Sequence, residues 1–552
     1  MILTRIMSRA GILAAALGLC YSPAATAHLP GAGDEGQLGR VDFEISCNGP
    51  AQASFNEAVA WLHSFEYERA GATFREVLGR DASCAMAHWG MAMSLWHQLW
   101  VTSPSPADLA KGAEHVRHAR ALAPDSGRES RYIEAIGAFY SDYEKLNHRS
   151  RTLAYQKAMA ELHASHPEDR EASIFYALSL LATASPTDKT FRNQLESGAL
   201  LEAVLDDNPD HPGITHYIIH SYDSPELAER ALQAARRYAT IAPASAHANH
   251  MSSHIFTRRG LWQESIATNL NAAAAGSAYA AANGLKGRWD EELHAISYLM
   301  YAYLQGAQDT KAKEILIDTQ TIMAVVPIGM KAAYPLASNP ARFVLERRRW
   351  IDAATLTVLP DWFPWEDYPA AHAITYYARA LGAARMGDPQ QATVELKMLQ
   401  KLRRALPTDV NAYWASQLEV QTNAAEAWIA HAEGRGKEAL TLMRTAANLE
   451  DGVDKLPLTA GEVLPARELL ADMLLDQGDA AVALAEYEAV LRAAPNRFNA
   501  LFGAGTAADR IGDDDKATFY YEALLAQSEL SDSMRPALKH ARDFVAANRD
   551  GP

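Results

Sequence analysis

The sequence predicts an all-α solenoid of stacked helical hairpins, and three observations predict it. Alanine is abundant while glycine and proline number only 32 and 25 in 552 residues, so helix is favoured and rarely interrupted. Similar residues return at a step of 34: Ala471, Gly478, Ala483 and Tyr487 come back as Gly505, Gly512, Ala517 and Tyr521. Two histidine pairs keep that step of 34, His216 with His220 and His250 with His254. A step of this size is one helix–turn–helix unit, which cannot bury its apolar face alone and must stack on its neighbours.

The elements follow in order. Arg5 and Arg9 precede an apolar run from Gly11 to Leu19, and Ala25-Thr26-Ala27 is a small-x-small cleavage site, so residues 1–27 read as a signal peptide. A lipoprotein anchor at Cys20 is the lesser alternative, because Leu19 is bulky where a lipidation signal wants a small residue. Residues 28–46 are glycine-rich and expected to be extended. Residues 47–182 hold N-terminal repeats (Trp61, Tyr67, Ala70, Phe74), and 183–305 central repeats carrying the histidines. Residues 306–450 are divergent helical repeats, and 451–545 are the regular C-terminal ones. The period breaks at 183–195, at 451–465 and at 359–369, an aromatic, proline-containing loop able to fold over a groove. Cys47 and Cys84 are able to form a disulfide in an oxidising compartment; two buried thiols are the alternative.

The small residues, turn glycines, A-x-x-x-aromatic spacing and closing Pro495 resemble the tetratricopeptide-repeat superfamily over most of residues 50–545. The strings LHSFEYERA, CAMAHWGMAMSLWH, HPGITHYIIHSYD, HMSSHIF and GEVLPARELLADMLL resemble those of a group of exported bacterial tetratricopeptide proteins. The resemblance implies a right-handed superhelix and an exported protein, and leaves activity open. It also implies that the first helix of each repeat lines a concave groove, with His216, His220, His247, His250 and His254 facing it.

Residues four apart share a helix face, so each histidine pair points one way. The next first helix, near 290–303, adds His294 and Tyr301. His216, His220, His250 and His254 are the expected metal ligands, with His247 or His294 completing a site. Asp223 and Asn249 are placed to orient an imidazole, and Tyr301 to hydrogen-bond a bound substrate. Imidazole ligation suits copper, zinc, nickel or iron, and the exported setting points first to copper. The competing reading is a polar groove without metal. His63 and His97, also 34 apart, are expected to make core or groove contacts, and Arg342 with Glu346 an exposed ion pair. His28 would become the mature N-terminus.

A formal net charge of −16 without a basic cluster argues against nucleic acid, and no H-E-x-x-H motif is present. Nothing in the chain is long and apolar enough to span a membrane. The expected function is transition-metal binding in the periplasm or outside the cell. A copper- or iron-dependent oxidoreductase is the first alternative, and a metal-free scaffold holding a small molecule or peptide in the concave groove is the second.

Overall fold

The computed structural model describes residues 38–99, 104–185, 187–407 and 412–549. The signal-peptide reading, Cys20 and His28 lie outside them. Among the described residues the chain forms twenty-five α-helices that pair in chain order, with Pro536–Arg549 left over at the end. The only strands are the two-residue segments Arg288–Trp289 and Val325–Val326, which pair in parallel.

The repeating residues do what their chemistry requires. Gly478 and Gly512 close their hairpin turns at φ +88° and +76°, a conformation that a side chain resists. Gly503 lets Tyr487 lie against its helix: a Cβ there would meet the phenol ring at 2.3 Å. Helix starts are fixed by side-chain caps, among them Asn48, Asp169, Ser245 and Asp513.

The buried apolar side chains fall into two clusters, one from Leu38 to Phe256 and one from Trp262 to Val545. The division falls inside the 183–305 segment, between the second histidine helix and its partner. In the N-terminal cluster, helix Gly49–His63 packs against helix Pro212–Ser221, so the first hairpin returns to the fifth. In the C-terminal cluster, Arg497 donates to Tyr301 Oη at 3.0 Å and reaches Glu346 at 2.9 Å, tying late helices to earlier ones. Residues 38–46 contain no helix or strand, and Val41, Phe43 and Ile45 alternate inward. A disulfide joins Cys47 to Cys84 and fastens this segment to the start of helix Ala85–Ser94.

Two groove expectations are corrected. The connection 451–465 covers the inner face of the histidine helices. Tyr298 Oη lies 2.9 Å from the Pro457 carbonyl oxygen and 3.0 Å from that of Thr459, sharing its one proton between them, and Lys455 reaches Asp223 at 3.5 Å. The aromatic loop 359–369 packs elsewhere, burying Phe363 and Trp365 and donating from Trp362 to the Ile322 carbonyl. Arg342 and Glu346 are both buried. Arg342 donates to the carbonyls of Gly461 and Glu462, and Glu346 pairs with Arg497, so they are not an exposed ion pair.

Candidate metal centre

Three successive first helices carry the histidines: Pro212–Ser221, Ala246–Arg258 and Asp290–Gln305. The first opens on Pro212 with His211 as its cap, the second on the Ser245 cap. The third opens on Asp290, Glu291 and Glu292, whose charges suit a helix N-terminus. The six histidines sort into two triads, His216–His220–His247 and His250–His254–His294. Within each triad one ring nitrogen per residue lies within 4.8 Å of the others. They do not line an open groove. His216 is 0 % exposed, His254 1 % and His294 3 %, and only His220 retains partial exposure. The covering segment and Phe65 account for this: the Phe65 ring lies 4.4 Å from His216, 5.6 Å from His220 and 5.5 Å from His247.

The second triad has the sharper geometry. His250 Nδ1 lies 2.7 Å from Asn269 Oδ1, and Asn269 is held in that orientation because its Nδ2 donates to the Ser265 carbonyl at 2.7 Å. His254 Nδ1 lies 2.9 Å from Asp223 Oδ2. Each Nδ1 therefore carries its proton and donates to an oxygen. A neutral imidazole has only one N–H, so each Nε2 presents a lone pair. The two Nε2 atoms face each other at 3.0 Å. Burial first, then neighbouring imidazoles, hold His250 well below its ordinary value. Burial brings His254 down to about 4 despite Asp223, so a proton shared between the rings is disfavoured near neutrality. With bonds of ~2.0–2.1 Å, a separation of 3.0 Å corresponds to an N–metal–N angle of roughly 95°. His294 completes the triad 4.2 Å from His250 between ring centroids, with its Nδ1 buried and without a hydrogen bond.

The first triad is built similarly. His216 Nδ1 donates to the His63 carbonyl at 2.6 Å, leaving its Nε2 lone pair 3.1 Å from His220 Nε2. Burial and neighbouring imidazoles again hold both well below the ordinary histidine range. His247 is the least engaged: both ring nitrogens are buried without a hydrogen bond, and Glu291 stands 3.9 Å from Nδ1, beyond hydrogen-bond reach. The triads adjoin, with the His220 and His254 rings 6.3 Å apart.

Asp223 lies where the sequence reading puts it, orienting His254, and is itself gripped by Arg258 at 2.8 Å and Lys455. Asn249 does not orient an imidazole; its amide donates to the carbonyls of Pro243 and Ser245 and closes its own helix start. Tyr301 is buried and its hydroxyl is taken by Arg497, so it is not directed at a ligand among the histidines. His63 joins a third group with Glu171 and His211, while His97 stacks on Tyr67 at 3.9 Å. The sequence reading missed Asn269, a fully buried amide in helix Trp262–Ala282; with Thr268 and Asn271 beside it, nothing in the sequence singled it out. It also missed Lys455 and Phe65, which come from distant segments and leave no periodic trace.

No family model matches the chain, and no curated protein matches it. Among solved structures, the human IFIT1 dimer with m7Gppp-AAAA is 12% identical with a TM-score of 0.36, covering 80% of this chain and 90% of that one. Yeast Tom70 is 12% identical with a TM-score of 0.27, covering 91% and 96%. The P58(IPK) TPR domain is 15% identical with a TM-score of 0.21, covering 69% and 100%. Likeness at this level assigns no activity or ligand. The fold stands on the chain's own architecture: paired helices at a step of 34, with turn glycines and close tyrosine packing, make this an all-α solenoid of the tetratricopeptide type.

Proposed function

We propose that the chain is an exported tetratricopeptide-type scaffold that holds transition-metal ions at two adjoining tri-histidine centres. The observation that carries this is the pair of unprotonated Nε2 atoms of His250 and His254, 3.0 Å apart, each fixed by an Nδ1–H donated to oxygen. Two facing lone pairs repel unless a cation lies between them. Every candidate ligand is an imidazole, which suits copper, zinc or iron. Nearby, Arg258 and Lys455 face Asp223, and Lys331 faces Asp290 and Glu291. Nitrogen-rich ligation in an exported protein places copper first. The Cys47–Cys84 disulfide supports an oxidising compartment. No helix among the described residues is long and apolar enough to cross a membrane.

A second reading, a metal-dependent oxidoreductase, is favoured by one feature. A cavity of about 560 Å³ is bounded by Arg258 and Lys455, the two residues that grip Asp223 behind His254, and gives a substrate room beside the second triad. At the three histidine helices the chain's own segment 451–465 takes the place a bound peptide would occupy.

The test is elemental analysis of protein purified without a metal-affinity tag, beside H216Q/H220Q and H250Q/H254Q. About two ions are expected per wild-type chain and about one in each variant. A metal-free wild type that stays empty after reconstitution would refute the proposal.

A further inference from the structure

A cavity of about 500 Å³ lies on another side of the same centre, with Tyr67, Glu68, Met91, His97 and His115 in its wall. At its edge, His115 Nδ1 is 3.1 Å from Nδ1 of His88. That separation matches those of the buried pairs. His118, three residues on from His115, stacks its ring 5.1 Å from His88. Both His88 and His115 are half-buried, so they are held in place yet open to solvent. Further in, His97 stacks on Tyr67 at 3.9 Å, Tyr67 on Phe65 at 5.4 Å, and Phe65 on His220 at 5.6 Å. A continuous row of rings thus leads from the cavity to the first triad. The Glu291 carboxylate, which pairs with Lys331, lies 3.9 Å from Nδ1 of His247, a ring nitrogen without a hydrogen bond.

We propose that His88 and His115 form a third, accessible transition-metal site, and that this cavity is the route by which the ion reaches His247 and the buried triads. The inference rests on the metal reading above. A buried centre covered by Phe65 and the 451–465 segment needs a path along which an ion exchanges water for protein donors in steps. The cavity and its edge supply them: the imidazoles of His88 and His115, the Met91 thioether and the His97 imidazole. A thioether among imidazoles suits copper(I) better than a harder ion. His247, whose ring packs 5.5 Å from Phe65 and whose nitrogens make no hydrogen bond, receives the ion at the end of the row.

The test adds copper(I), buffered by a chromogenic chelator under anaerobic conditions, to metal-stripped full-length protein and follows uptake with time. Wild type should take up one weakly held ion beyond those of the buried centres. H88A/H115A should lose that ion, reach the same buried content, and fill at least about tenfold more slowly, within the range by which shaped, charged clefts accelerate ion capture. H115Q, a milder change, should slow filling in the same direction. H97A should keep the extra ion and slow filling. Equal rates and equal totals in H88A/H115A and wild type overturn the port. A wild type that takes up no copper at all overturns the buried centres instead, and shows before any variant is compared.

Discussion

Two neighbouring histidine clusters in this chain look alike by distance and differ in chemistry. His63, Glu171 and His211 lie within 4.8 Å of one another through their ligand atoms, as the members of each tri-histidine group do, and all three are buried. There, however, every ring nitrogen is engaged. His63 and His211 donate from Nε2 to the two Glu171 oxygens at 3.0 and 2.9 Å. Tyr217 Oη bonds His63 Nδ1 at 3.0 Å, and Ile214 N–H caps onto His211 Nδ1 at 3.4 Å. Nothing is left for an ion, and the carboxylate already has its donors. In the triads the Nδ1 atoms of His216, His250 and His254 are spent on oxygen and the Nε2 atoms face each other. Proximity of three donors does not make a metal site; a lone pair with no proton to meet does.

The comparison is broken most severely by removing one ligand from each triad. H220Q/H254Q should reduce bound metal to less than about a tenth of wild type, measured by elemental analysis, since a three-ligand site does not survive on two. Glutamine is the choice because these side chains are buried, and truncation to alanine would confound metal loss with a cavity. Glu171→Gln should do the opposite, costing about 1.5–3 kcal/mol of stability by chemical denaturation while metal content stays at the wild-type level. Asp223→Asn should keep the ligands but loosen His254, weakening the affinity of the second centre about 10–100-fold in a chelator competition and leaving the first unchanged.

A smaller, graded effect separates the clusters by pH. His216, His220, His250, His254 and His294 are all depressed by burial, His254 to about 4. The unfolded chain therefore binds more protons than the folded one below the ordinary histidine value of about 6.5. Metal-free protein should hold full stability above that pH and lose it as pH falls from about 6.5 to about 4, read as a declining Tm. Burial pushes Glu171 up, but His211 and His63 hold it well below the carboxylate range, so its own contribution is lost only at more acid pH. A Tm unchanged between pH 7.5 and 5 would contradict the buried, neutral state of these five histidines.

The period and the clustering of the histidines were legible because both are periodic: helical hairpins repeat at 34, and side chains four apart share a face. Asp223 was legible for the same local reason, three residues beyond His220. The burial of the triads was not, because it depends on residues 453–464 and on Phe65, whose approach is set by how late hairpins stack rather than by any spacing. Glu171 and His211 escaped notice because His63 meets them 108 and 148 positions along the chain, with no register to betray it. Tyr301 keeps the helix position expected of it, yet Arg497, from another hairpin, claims its hydroxyl.

The most direct measurement is anomalous diffraction at the metal edge from crystals of protein purified without a tag or reconstituted with copper(I). Two peaks are expected, one within about 2.0–2.1 Å of nitrogens in His216, His220 and His247, the other equally close to those in His250, His254 and His294. A peak between His63, Glu171 and His211 with none at the triads, or no peak at all, would contradict the account.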